Sequence, residues 1–66
     1  MTPDAARALA ESLGYLLAED VAALAGVKTS TLAAWAARGE GPPYVVFGRR
    51  KLYEFEGLRR YLAAIR

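Results

Sequence analysis

The residues with the clearest chemical potential are cationic: Gly48-Arg49-Arg50-Lys51 sets three bases in succession directly behind a glycine. Guanidinium groups at a tight turn suit phosphate oxygens, which arginine meets as a planar fork and lysine as a point charge. The plainer alternative is a solvated turn. A second polar group, Lys28-Thr29-Ser30, lies where a helix should begin, and side chains and backbone N–H groups at a helix start can meet phosphates or base edges. Catalytic groupings are missing. The chain has no histidine and no cysteine, which removes the usual acid–base at neutral pH, the commonest metal ligand and any thiolate site. Glu19 and Asp20 are adjacent, so they do not face each other, and a helix N-terminus accounts for them. With no nucleophile beside a base and no phosphate-cradling glycine loop, the chain reads as a non-enzyme with no catalytic residues, no metal and no cofactor.

The charge is divided along the chain. Residues 1–27 hold one arginine against four acids, a net of −3, and residues 28–66 hold eight bases against three acids, a net of +5. Such asymmetry points the second part towards a polyanion, or else towards no more than a solvated charged surface. No apolar run reaches the roughly 20 residues of a membrane span, and Met1-Thr2-Pro3-Asp4 lacks the character of a secretory signal. The expectation is a soluble, intracellular protein with no membrane partner.

The elements that must position these bases follow from caps, stops and periods. Thr2-Pro3-Asp4 starts a helix, Ala6, Leu9, Ala10 and Leu13 recur at helical spacing, and Gly14 supplies the stop. Tyr15-Leu16-Leu17 is too brief for a helix and reads as an extended segment packing under the next element. Glu19-Asp20 opens a second helix, with Val21, Leu24 and Ala25 on one face, and Gly26 ends it. A third runs from Thr29 to Arg38, its inner stripe being Leu32, Trp35 and Ala36. Its outer face then holds Lys28, Thr29, Ser30, Ala33, Ala37 and Arg38, with Ala34 at the edge, while Thr31 is divided between local bonding and DNA contact. Two short helices around Gly26-Val27-Lys28 have the pattern of a helix-turn-helix. Gly41-Pro42-Pro43 breaks the helix. Tyr44-Val45-Val46-Phe47 and a run ending in Leu52-Tyr53 then flank Gly48–Lys51 as a β-hairpin. Leu58, Tyr61, Leu62 and Ile65 give a closing amphipathic helix expected on the same core as Trp35. Trp35, Tyr44, Phe47, Tyr53 and Tyr61 are all assigned to the core, and Arg59 and Arg60 to a solvated face.

The predicted fold class is mostly α with a small β-hairpin: a winged helix-turn-helix carrying an additional N-terminal helix. Residues 1–66 form a single domain, with the N-terminal helix in 1–14, the helix-turn-helix in 19–38, the wing in 44–54 and the C-terminal helix in 56–65.

The stretch from Ala18 to Val27, then Thr31-Leu32 and Trp35, resembles the excisionase and AlpA-like families of the wider MerR-like winged-helix superfamily. The likeness continues through Gly41-Pro42-Pro43-Tyr44, Gly48-Arg49-Arg50 and Tyr53 to Leu58 and Leu62. It implies a phage or mobile-element protein of the bacterial cytoplasm that binds double-stranded DNA, side by side in several copies, bends it, and steers a partner integrase towards excision. The residues carried over are Lys28, Thr29, Ser30, Thr31, Ala33 and Ala34 on the recognition helix and Arg49 and Arg50 at the wing; Arg38 and Lys51 join them on charge and place. The family commonly has serine at the position of Lys28, so the helix cap is expected to move to Thr29. It also commonly has bulky polar residues where Ala33 and Ala34 stand, leaving methyl groups that can touch thymine methyls. The helix from Pro3 to Leu13 lies outside the minimal family domain and implies a packing or partner surface. Open alternatives are a transcriptional regulator or terminase-type DNA-recognition domain of the same fold, or a protein-interaction module whose basic hairpin meets an acidic partner.

Overall fold

Caps and glycine stops set the chain path in the computed structural model, which describes residues 1–65. Helix α1 (Pro3–Ser12) opens where Thr2 Oγ1 accepts the Ala5 N–H at 3.1 Å and a proline takes the first turn. Strand β1 (Tyr15–Leu17) leads directly into helix α2 (Ala18–Ala25), whose first turn carries Glu19 and Asp20. Gly26 closes α2 in the left-handed conformation, φ 73°, which glycine adopts without steric cost. Helix α3 (Thr29–Ala37) starts three residues later and ends at Arg38. The Gly41-Pro42-Pro43 segment then delivers strand β2 (Val45–Phe47), strand β3 (Arg50–Glu54) and helix α4 (Phe55–Ala64).

The result is a compact mixed α/β small domain of four helices and a three-stranded antiparallel sheet. The strand order is β1-β3-β2. In the hairpin, Val45 pairs with Leu52, Val46 with Lys51 and Phe47 with Arg50. On the other edge of β3, Leu16 lies opposite Tyr53 and Leu17 opposite Leu52. The β content therefore exceeds the expected isolated hairpin. Tyr15-Leu16-Leu17, expected as an extended segment packing under the next element, is extended and also pairs as a strand. Three residues show no period of their own, and their hydrogen-bonding partner stands far along the chain.

The core cluster joins Val21 and Ala22 of α2, Leu32 of α3 and Tyr53 of β3, with Leu16, Ala18, Val27, Trp35 and Tyr44 packed against it. Leu17 and Tyr53 lie on opposite faces of the sheet by register and are both buried, so helices must cover the sheet on both sides. Helix α1 packs on β1 and is tied to α2 by Arg7, whose Nε donates to both oxygens of Asp20 at 2.9 Å. Its Nη1 also donates to Asp4 Oδ1 at 3.0 Å. The Asp20 hydrogen bond and charge hold the Arg7 guanidinium above its ordinary pKa.

Several apolar residues lie further out than their spacing implied. In α1 only Ala10 is buried; Leu9 is exposed, and Leu13 caps the helix from outside at 73% exposure. Leu24 is exposed on α2, and of the α4 stripe only Leu58 is buried, with Leu62 and Ile65 exposed. Phe47, assigned to the interior with the other aromatics, is 75% exposed on the outer strand β2. A chain this short has a high surface-to-volume ratio and cannot enclose every apolar stripe. Leu24, Trp35, Tyr61, Leu62 and Ile65 consequently border an open apolar groove of about 440 Å³.

Candidate nucleic-acid interface

The start of α3 is left chemically open. Lys28 occupies the cap position and makes no side-chain cap bond, and Thr29, expected to cap, is instead the first helical residue. Intrahelical bonding begins with Thr31 and Leu32 donating to the Lys28 carbonyl at 3.0 and 3.1 Å. The N–H groups of Thr29 and Ser30 thus precede the ladder and lie at the positive end of the helix. Thr29, Ser30, Ala33, Ala34, Ala37 and Arg38 are exposed, Thr31 is half-buried, and Leu32, Trp35 and Ala36 turn inward.

The hairpin closes through two residues, Gly48 and Arg49, between paired Phe47 and Arg50. Gly48 has φ 62°, and among the described residues no non-glycine has positive φ, the pattern of a type II′ loop, whose twist matches that of the strands. The tip is thus shorter than the expected Gly48–Lys51. Arg50 and Lys51 belong to β3, because a glycine at the first loop position lets pairing begin at once. Strand alternation sets Lys51 on the face of Tyr53. Lys51 Nζ stands 5.9 Å from the Tyr44 ring centroid, and the Tyr44 and Tyr53 rings are 5.8 Å apart. The lysine ammonium thus stands over the Tyr44 ring, which in turn packs against Tyr53. Burial, with a smaller contribution from Tyr44, pushes the Tyr53 phenol above its ordinary pKa.

Between these two features runs a cleft of about 490 Å³. Thr29, Ser30 and Ala33 form one wall, Arg49, Arg50 and Lys51 the other, and Leu32 and Tyr53 also line it. Six of the residues singled out in the sequence are thus brought together. Lys28, Thr31, Ala34 and Arg38 do not line the cleft, and Arg38 Nε donates to Glu40 Oε1 at 3.1 Å on the surface.

Four lining residues, Ala18, Glu19, Leu32 and Tyr53, lie outside the site expected from the sequence, and Glu19 is the one that adds chemistry. Glu19, taken only as a helix-start acid, faces the cleft with its Oε1 3.5 Å from Arg50 Nη1. Tyr53 borders the cleft from beneath, but at 1% exposure it is a core residue, as the sequence implies. Glu19 meets Arg50 only through the tertiary fold. The cleft combines cations and hydroxyls with one carboxylate, a set that can bind an anion. Among the described residues, no group of three acids comes together that could hold a metal. No described helix is long and apolar enough to cross a membrane. Comparisons with protein-family models, curated proteins and solved structures found no match to this chain.

Proposed function

We propose that this chain is a double-stranded-DNA-binding protein of winged helix-turn-helix architecture, with α2 and α3 as the helix-turn-helix and β2–β3 as the wing. The observation that carries the proposal is the shared cleft: the open start of α3 and the bases of the hairpin face one another across it. A helix of this size fits the major groove, and a basic hairpin beside it can reach the flanking phosphates or the minor groove. Thr29, Ser30 and Lys28 supply polar contacts, Ala33 and Ala34 meet thymine methyls, and Arg49, Arg50 and Lys51 supply most of the affinity.

The resemblance to excisionases favours a phage or mobile-element protein acting in the bacterial cytoplasm, which bends DNA and directs an integrase. A footprint of repeated sites favours that role, whereas a single operator footprint overlapping a promoter favours a transcriptional regulator of the same fold. A recognition surface with so few polar groups discriminates weakly, so selectivity comes from several copies on repeated sites. Sedimentation on duplexes carrying one and three sites checks this, and equal affinity per site rules cooperativity out. Arg49, Arg50, Lys51 and Lys28 offer up to four phosphate contacts, which sets the salt dependence at about −2 to −4 in log K against log salt. Fluorescence anisotropy with a duplex over a salt series tests the reading. Binding that is absent at low salt, or indifferent to salt, refutes it in favour of a protein-interaction module.

A further inference from the structure

Resting on the DNA reading, we infer that Arg50 holds one of the backbone phosphates at the cleft and that the Glu19 carboxylate is that phosphate's stand-in in the free protein. Glu19 Oε1 lies 3.5 Å from Arg50 Nη1, with the two side chains 47% and 52% exposed. An ion pair this open to water is weak and exchanges readily. The carboxylate has a reason to sit there, since the first turn of α2 favours negative charge. It shares the cleft with Thr29 and Ser30 at the positive end of α3 and with Arg49 and Lys51. These are the groups that would receive a phosphate, and Arg50 is the cation already engaged. A phosphodiester entering the cleft therefore exchanges with the carboxylate at Arg50, and the displaced Glu19 remains as a nearby like charge. Both effects lower affinity, so Glu19 sets a ceiling on phosphate-driven binding.

The test is a double-mutant cycle with Glu19→Gln and Arg50→Gln, read by anisotropy on a generic duplex over a salt series. Glu19→Gln should bind about two- to eightfold more tightly near 0.1 M salt. The lower figure reflects an exposed ion pair and the upper the counterion release of one full contact, and the salt slope should steepen by up to about 0.9. In the Arg50→Gln background the gain should shrink to less than half of its wild-type value on a logarithmic scale. Glu19→Asp, which keeps the charge on a shorter stem, should lie between wild type and Glu19→Gln. It also serves should the glutamine variant fail to fold, which thermal melting reports. If wild type binds and Glu19→Gln does not tighten, the inference fails while the DNA reading stands. An equal gain with and without Arg50 also overturns it, because net charge alone would then be acting. Wild type that ignores DNA at low salt removes the reading on which it rests.

Discussion

Gly57→Ala sets helix propensity against packing. Gly57 is the third residue of α4, where alanine would ordinarily stabilise a helix by about 1 kcal/mol, and less so in the first turn. A Cβ at this position would stand 2.9 Å from Pro43 Cγ and 3.8 Å from Glu54 Cβ. The first distance is well inside contact, and a proline ring can yield only by a change of pucker. Overpacking costs about 1–3 kcal/mol in a packed core, and a half-buried Gly57 against an exposed Pro43 falls in the lower part of that range. The clash therefore wins, and we expect a net loss of about 1 kcal/mol, or about 4–8 °C in Tm for a domain of this size. Pro43 precedes β2 and Gly57 follows β3, so the contact pins both ends of the hairpin and the substitution should also weaken DNA binding. Thermal melting by circular dichroism measures the effect. Pro43→Ala in the same chain should recover most of the loss, since it removes the obstructing Cγ. A Gly57→Ala protein that melts above wild type would refute the reasoning, showing the contact to be slack.

Leu32→Ala removes one of the most buried side chains, 2% exposed in the core cluster. Its cost of about 2–5 kcal/mol is comparable with the whole stability of a chain this short, so far-ultraviolet circular dichroism should show a largely unfolded protein at 25 °C. Tyr53 gives stability a pH dependence: its phenol titrates above the ordinary 10.0 when folded. The unfolded chain therefore loses that proton first. Stability is full below about pH 10 and declines as pH rises towards the folded value. Urea midpoints should show a smaller alkaline decline in Tyr53→Phe than in wild type, and equal declines would contradict the assignment. Arg49→Ala should weaken binding about equally on all duplexes and make the salt slope shallower by about 0.9, whereas Thr29→Ala or Ser30→Ala should change the ranking of sites in a selection experiment. An Arg49→Ala protein with unaltered slope would remove the hairpin from the interface.

Local chemistry made much of the molecule legible. Thr2-Pro3 marked the start of α1, Gly26 the end of α2, and Leu32, Trp35 and Ala36 the inner stripe of α3, because each acts within one helical turn. Gly48 marked the hairpin, although the loop is shorter than its run of bases implied. What could not be read depends on contacts between distant segments. Tyr15–Leu17 becomes a strand only because β3 offers a free edge. Glu19 enters the cleft only because α2 lies against the hairpin. The degree of burial was overread for a related reason: the spacing of Leu62, Ile65 and Phe47 defines a face, but whether anything covers that face is decided by chain length and strand order. The candidate cleft was therefore legible in its cations and hydroxyls, and illegible in its carboxylate.

The proposed interface requires the start of α3 and the hairpin tip to meet the same duplex together, which amide chemical-shift mapping during a DNA titration can follow residue by residue. Thr29, Ser30, Gly48, Arg49 and Lys51 should shift along one common binding curve, while the amides of α1 and the second half of α4 stay nearly still. Shifts concentrated on α1 or α4, or two separate curves for α3 and the hairpin, would contradict it.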